Sequence, residues 1–386
     1  MKILITTDLY STAANGVVTS VRNLSGELRK RGHDVRILTL SPNHESYCDH
    51  AVYFIKSFSL EKIYPNVRGT ISFRDQYIDE LIAWNPDVIH SQCEFFTFQF
   101  AQRISRRTGA PVVHTYHTLY EQYSDYVFSG KALSSYLIRK LSKWRLRHTE
   151  KVIVPSHKTE KILKSYGIDK PIHVVPTGIS LEQHQQRFSS NTRKELRSKY
   201  GIPENTFVLI SLGRLAAEKS IDNLLLCFSW ILEESSDLML LIVGDGPARN
   251  ELEEMARSWD IQDKVVFTGA VDPLEVSKFY QLGDVFVSTS TSETQGLTYV
   301  EAAANGLPLV CMRDPCLQGV IVNGTNGFEF ETLEEFEDQI LTLRDNEEIR
   351  IRASKCSEEI ASGFDKKYFS ESIEEVYRSV TAGVRQ

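Results

Sequence analysis

Short continuous apolar runs alternate with longer stretches whose apolar residues recur every three or four positions, and this alternation passes along the chain twice. In the first half the runs are KILITTD (2–8), DVRILTL (34–40), PDVIHSQ (86–92), PVVHTYH (111–117) and KVIVPS (151–156). In the second they are FVLISLGR (207–214), LMLLIVGDG (238–246), KVVFTGA (264–270), DVFVSTS (284–290) and LPLVCMR (307–313). Unbroken Val/Ile/Leu runs separated by helical patterns predict parallel strands buried on both faces. The fold class is therefore α/β, with two doubly wound Rossmann-like domains. Pro176, Gly178 and a polar stretch before the second set of strands place the joint near 176–190, giving domains 1–180 and 181–365. The tail, 366–386, is an amphipathic helix with no strand after it, and is expected to pack back on the N-terminal domain.

A length of 386 residues suits two such domains better than one core. With 41% hydrophobic and 25% charged residues the composition is that of a soluble globular protein. No apolar run approaches the roughly 20 residues of a membrane-spanning helix, and MKILITTDLY reads as a buried strand without a signal-peptide layout. The expected localisation is cytoplasmic. Six scattered cysteines lack C-x-x-C spacing, which argues against a zinc site or a disulfide framework. A net charge of −7 argues against a nucleic-acid partner.

Candidate chemistry is densest in TSETQGLTYVEAAANGLPLV (291–310). Carboxylates accept hydrogen bonds from sugar hydroxyls, and free N–H groups at a helix start bind anionic phosphate oxygens. Glu293 precedes the glycine turn and Glu301 lies inside the helix expected from about Leu297, so the two can bracket a ligand stretched across the helix N-terminus. Arg214 and Lys219 follow the first strand of the second half, where a planar fork and a point charge can meet one diphosphate. Near the N-terminus Asn15 and Gly16 precede a helix at a strand's C-terminal end, where open α/β sheets place ligands. Each feature alone has an ordinary alternative, such as a solvated cation or a water-facing helical acid. The one G-x-G that opens a helix, VGDGPARNELEE (243–254), carries Arg249 at the third glycine position and lacks the expected later acid, which weakens a nicotinamide-dinucleotide reading.

Taken together, GRLAAEKS, VGDGP, FTGAV and SETQGLTYVEAAANGLP, with RGHDV, HTYHT, VIVPS and VVPTGIS in the first half, resemble the retaining glycosyltransferase family 4, enzymes of GT-B architecture. The resemblance spans nearly the whole chain. It implies two Rossmann-like domains facing a cleft, with a nucleotide-sugar donor on the second and an acceptor on the first. By position, Arg214 and Lys219 would neutralise the diphosphate, Glu301 would hold the ribose and Glu293 would contact the donor sugar. Backbone amides at Gly296, Leu297 and Thr298 would cap phosphates and sugar, Val271 would meet the base, and Gly16 would let a phosphate approach. His117 would sit under the transferring sugar, with His114, three residues earlier, as the competing candidate. Two positions depart from the pattern: the first loop has one glycine where relatives often have two, and Asn305 replaces a small apolar residue. No D-x-D occurs, consistent with a site relying on cations and a helix dipole, so no cofactor and no essential metal are expected.

The segment 133–151 sets Arg139, Lys140, Lys143, Arg145, Arg147 and Lys151 against one acid, Glu150, with Leu133, Tyr136, Leu137, Leu141 and Trp144 at helical spacing. Such a helix suits an anionic membrane surface, with Arg139, Lys140, Lys143, Trp144 and Arg147 as its contacts; the alternative is a core stripe with a solvated basic edge. Lys56, Lys62, Arg68 and Arg74 form a second basic stretch among aromatics. The wording of HTYHTLYEQY and of SETQGLTYVEAAANGLPLV (292–310) resembles the bacterial diacylglycerol glucosyltransferases within the family. The expected activity is transfer of glucose from UDP-glucose to diacylglycerol with retention of the α configuration, by an enzyme peripherally associated with the inner face of the cell membrane. Another lipid-linked or soluble acceptor, such as a capsule or phosphoinositide precursor, is the alternative, and a non-catalytic nucleotide-sugar-binding subunit is the alternative of another class.

Overall fold

The computed structural model describes residues 1–10, 15–60, 68–72, 74–119 and 131–382. It divides into one unit formed by Met1–Gly178 with Lys366–Gln386 and a second formed by Ile179–Asp365.

The first unit is built on an eight-stranded sheet in the order Ile172–Val174, Lys151–Val154, Val112–Thr115, Val88–Ser91, Lys2–Thr6, Asp34–Leu40, Val52–Ile55 and Tyr47–Asp49. All pairings are parallel except the last. The winding reverses between Lys2–Thr6 and Val88–Ser91, so their C-terminal ends form the switch point at which such sheets bind ligands. The opening helix, Gly16–Lys30, is started by Asn15, whose side chain accepts from the Val17 amide, and ends in Arg29 and Lys30, where cations complement the helix dipole. The helix Phe96–Thr108 receives its cap from a different loop: the Asp8 carboxylate accepts from the Thr97 amide at 2.7 Å.

The closing helix, Lys366–Thr381, belongs to this first unit. It packs along the opening helix and drives Phe369, Ile373, Val376 and Tyr377 into the core beneath Ile3, Ile5 and Val113. Burying each such side chain contributes roughly 1.5–3 kcal/mol. Glu374, almost fully buried, is held by Arg31 at 2.7 Å and Arg378 at 2.6 Å, with His33 at 3.4 Å. Burial alone would push this carboxyl up, but those contacts outweigh it and hold it at about 2, below its ordinary 4.5. A depressed folded-state pKa stabilises above the unfolded value and loses that contribution as pH falls through the folded one. Thermal melts should therefore show the first unit weakening as pH drops from about 4.5 toward 2, and Glu374→Gln should flatten that slope.

The second unit has a six-stranded sheet, all parallel, ordered Val265–Phe267, Leu238–Val243, Phe207–Leu212, Val285–Ser288, Leu309–Met312 and Gly327–Phe330. Its winding reverses between Phe207–Leu212 and Val285–Ser288. Apolar layers cover both faces, which is why these strands read as unbroken apolar runs.

Candidate active site

In the second unit the loops leaving the two strands at the switch point carry Arg214 with Lys219 and Ser290 with Glu293. They are stitched together: Thr289 Oγ1 donates to the Ser220 carbonyl at 2.6 Å and Ser292 Oγ to the Glu218 carbonyl at 2.6 Å. Lys219 Nζ then reaches Glu293 Oε1 at 2.5 Å, and Ser290 Oγ donates to the same oxygen at 3.3 Å. The sequence predicts separate tasks for these two charges, diphosphate and sugar; in the structure they form one half-buried ion pair. Arg214 is half-buried on the same loop.

The VGDGP loop finds its purpose here. Leu215 N donates to the Asp245 carbonyl at 3.0 Å and Gly213 N to the Val243 carbonyl at 3.0 Å. A Cβ on Gly244 would stand 1.9 Å from the Gly213 oxygen, and one on Gly246 would stand 2.2 Å from the Leu215 oxygen. The two glycines thus let backbone meet backbone and brace the Arg214 loop. The same loop joins Gly244 N to the Gly269 carbonyl at 3.1 Å, next to half-buried Val271.

The helix Leu297–Ala304 starts from Gly296, whose φ of 75° is left-handed and whose added Cβ would meet the Tyr299 ring at 2.4 Å. Glycine offers no capping side chain, so the amides of Leu297 and Thr298 lie at an N-terminus suited to an anion. Glu301, one turn on, accepts from the Tyr280 hydroxyl at 3.0 Å; burial, and then Glu301 itself, push that phenol well up, so it stays a donor and holds one carboxylate oxygen. Asn305 is explained by its bonds: buried at the helix end, it donates to the Glu301 carbonyl at 2.9 Å and lies 3.3 Å from both His184 and Gln281.

In the first unit the structure separates the two histidines. His114 is fully buried, with Nε2 3.1 Å from Glu94 Oε1. His117 is half-exposed, with Nε2 2.6 Å from Gln92 Oε1, and burial together with nearby His114 lowers its pKa to about 3. His117 is thus the accessible one and is neutral at physiological pH. Around them stand residues that sequence reasoning left without a role: Asp8, Gln92 and Glu94, all at strand ends, and Arg145. Burial raises the Asp8 carboxyl to about 6, against hydrogen bonds from Thr97 and with help from Glu94. Their position just after KILITT and DVIHS was the available signal. Gly16 is the first residue of the opening helix, and the loop 11–14 before it lies outside the described residues.

The helix Lys131–Leu146 turns Ser142, Arg145 and Leu146 inward. Arg145 lies over the Phe98 ring and does not join the basic surface. Arg139, Lys140, Lys143 and Arg147 are exposed, and so are Tyr136 (53%), Leu137 (41%), Leu141 (42%) and Trp144 (43%), so the described part of the apolar stripe is not core; the Leu133 side chain lies outside the described residues. Of the second basic stretch, Lys56 and Arg74 are exposed, Arg68 is bonded to Ser57, and Lys62 lies outside the described residues. Among the described residues no helix is long and apolar enough to cross a membrane.

The family profile described as Glycosyltransferase Family 4 matches residues 14–183, and that described as Glycosyl transferases group 1 matches 192–360. An alpha-monoglucosyldiacylglycerol synthase of Streptococcus pneumoniae is 36% identical over 83% of this chain and 73% of its own. The chain belongs to glycosyltransferase family 4. A second alpha-monoglucosyldiacylglycerol synthase, from Acholeplasma laidlawii, is 30% identical over 98% of this chain and 96% of its own. The sucrose-phosphate synthase of Thermosynechococcus elongatus superposes with a TM-score of 0.80 at 19% identity, over 99% of each chain. The architecture is GT-B, and this family 4 enzyme is a hexosyltransferase.

Proposed function

We propose that this family 4 enzyme transfers glucose from UDP-glucose to diacylglycerol at an anionic membrane surface, with retention of the α configuration. The observation that carries the reading is the convergence of Lys219, Glu293 and the open start of the helix Leu297–Ala304 at the second sheet's switch point. Arg214, Lys219 and the amides of Gly296, Leu297 and Thr298 hold the diphosphate, Glu301 the ribose, Glu293 the glucose, and the backbone at Val271 the base. In the first unit Gly16 lets a phosphate approach and His117 lies beside the transferring sugar. In a front-side displacement the bond from C1 to the phosphate oxygen breaks as the acceptor oxygen bonds on the same face, and the departing phosphate takes the acceptor's proton. The enzyme stabilises the leaving charge and orients the partners, with no metal required. The acceptor and sugar follow the names of the two synthases to which the chain is similar.

Exposed Tyr136, Leu137, Leu141 and Trp144 interleaved with Arg139, Lys140, Lys143 and Arg147 support the peripheral location, since such a face gains from both apolar insertion and anionic lipid. Each basic residue near the surface contributes on the order of 1 kcal/mol, screened by salt. Purified enzyme with vesicles of diacylglycerol and anionic lipid should yield a mass-shifted glucolipid from UDP-glucose in excess EDTA. Sedimentation with the vesicles should fall with added salt, and also when Arg139, Lys140, Lys143 and Arg147 become Gln. Product with aqueous acceptors alone would overturn the acceptor, and chelator-abolished activity rescued by a divalent cation would overturn metal independence.

A further inference from the structure

A buried chain of hydrogen bonds runs from the closing helix to His117. Tyr377 Oη lies 2.6 Å from His90 Nδ1, and the two rings meet edge to face with centroids 5.5 Å apart. His90 Nε2 lies 2.7 Å from Thr115 Oγ1 and 3.0 Å from Gln92 Nε2. Gln92 Oε1 lies 2.6 Å from His117 Nε2. Tyr377 and His90 are fully buried, and Gln92 and Thr115 nearly so.

Donor and acceptor chemistry couples the links. An amide oxygen only accepts, so His117 carries its proton on Nε2 and presents Nδ1 as a bare acceptor. The Gln92 amide nitrogen only donates, so His90 Nε2 is bare, His90 Nδ1 is protonated, and its N–H donates to the Tyr377 oxygen. Turning the amide over would reverse every link at once. We propose that Tyr377, His90 and Gln92 are positioning residues that fix His117 as its Nε2–H tautomer, so that the closing helix sets which ring nitrogen His117 offers to a substrate hydroxyl. The effect on transfer rests on the reading that His117 lies beside the transferring sugar; the effect on the tautomer does not. His117 is neutral at working pH, because burial and His114 hold its pKa at about 3, so the tautomer is the property left to set. A histidine's free nitrogen is commonly defined by the bond its other nitrogen makes.

The consequence of breaking the far end is specific. Without the Tyr377 hydroxyl, His90 Nδ1–H would be a buried donor lacking its partner, an arrangement costlier than moving the proton to Nε2. That proton would then meet Thr115 Oγ1, which can accept it, and the Gln92 N–H, which cannot; relieving that donor–donor contact turns the amide, which then presents N–H to His117 and drives the His117 proton to Nδ1. The test is long-range 1H–15N correlation on the full-length enzyme labelled with 15N-histidine, the His117 signals being assigned by their loss in His117→Gln. Expected are a protonated Nε2 and bare Nδ1 in the parent, exchanged roles in Tyr377→Phe, and retention in Gln92→Glu, whose carboxylate still accepts from His117 Nε2. Turnover of Tyr377→Phe should fall about tenfold with donor KM changed less than twofold. A parent His117 protonated on Nδ1 would overturn the relay, as would an unchanged His117 pattern in Tyr377→Phe. Should that variant not fold, loss of the Nε2–H pattern in Gln92→Leu but not in Gln92→Glu supports the relay, and an unchanged pattern in both overturns it. A changed tautomer with full turnover supports the relay and overturns instead the placement of His117 beside the sugar.

Discussion

Lys219→Ala is expected to lower turnover by roughly two to four powers of ten, as happens when a donor to developing charge is removed. The ion pair at the site explains why the effect should be large. Lys219 is paired with Glu293 at 2.5 Å, and both side chains are more than three-quarters shielded from solvent. On the proposed reading, removing the ammonium does two things: it deletes a cation that would face the diphosphate, and it leaves the Glu293 carboxylate uncompensated where an anionic donor would bind. Arg214→Ala should fall in the same range, since Arg214 sits on a loop at the same switch point that is braced backbone to backbone by Gly244 and Gly246. Lys219→Arg should retain more activity than Lys219→Ala, because it keeps the charge while losing the compact ammonium geometry. Single-turnover measurements at saturating donor separate these effects on chemistry from effects on binding. A loss of less than about tenfold in both alanine variants would remove the diphosphate assignment.

A chain ending at Asp365 is expected to lose the native first unit altogether. Such a chain keeps all eight strands of the first sheet but uncovers the face over which Phe369, Ile373, Val376 and Tyr377 lie. It also strands Arg31, which the intact unit pairs with Glu371 and Glu374. For scale, Ile373→Ala alone should cost about 2–5 kcal/mol, the range for deleting a buried aliphatic side chain. That approaches the whole stability of a marginal domain. Limited proteolysis followed by mass spectrometry gives the answer: cleavage should concentrate in residues 1–178 while 179–365 survive. Equal protection of both parts would show that the closing helix is dispensable to the first unit.

The two sheets could be anticipated because their strands are covered on both faces and therefore spell out continuous Val/Ile/Leu runs. Ile172–Val174, Val52–Ile55, Tyr47–Asp49 and Gly327–Phe330 escaped that signal because they are short and partly exposed, and their patterns resemble loops. Strand order was hidden too, since it is set by crossover connections and not by any one segment. Around the candidate site, Glu293, Gly296 and Glu301 stand within nine residues of one another, so local spacing could suggest them as a group. The Lys219–Glu293 pair joins residues 74 apart and the His90–Tyr377 bond residues 287 apart, distances over which periodicity says nothing. Arg145 shows another limit: five exposed or terminal cations share its segment, and what sets it apart is its burial, over the rings of Phe98 and Trp144. Asn305 was opaque for the same reason, because His184 and Gln281, which contact it, come from other elements.

Gly178 packs against the backbone of Lys366, while Ile179 pairs with Asp365 and its amide donates to the Phe364 carbonyl at 2.9 Å. The chain therefore leaves the first unit and returns to it through two adjacent strands of backbone, and the second unit is an insertion within the first. For a protein made from its N-terminus, this reverses the order in which its parts can be finished. Residues 179–365 are contiguous and can close their core from one uninterrupted stretch, whereas the unit synthesised first must wait, with the face beside Ile3 and Val113 uncovered, until the closing helix is released. The period of greatest aggregation risk thus falls on the part made earliest, and it lengthens with every delay in translating the closing helix.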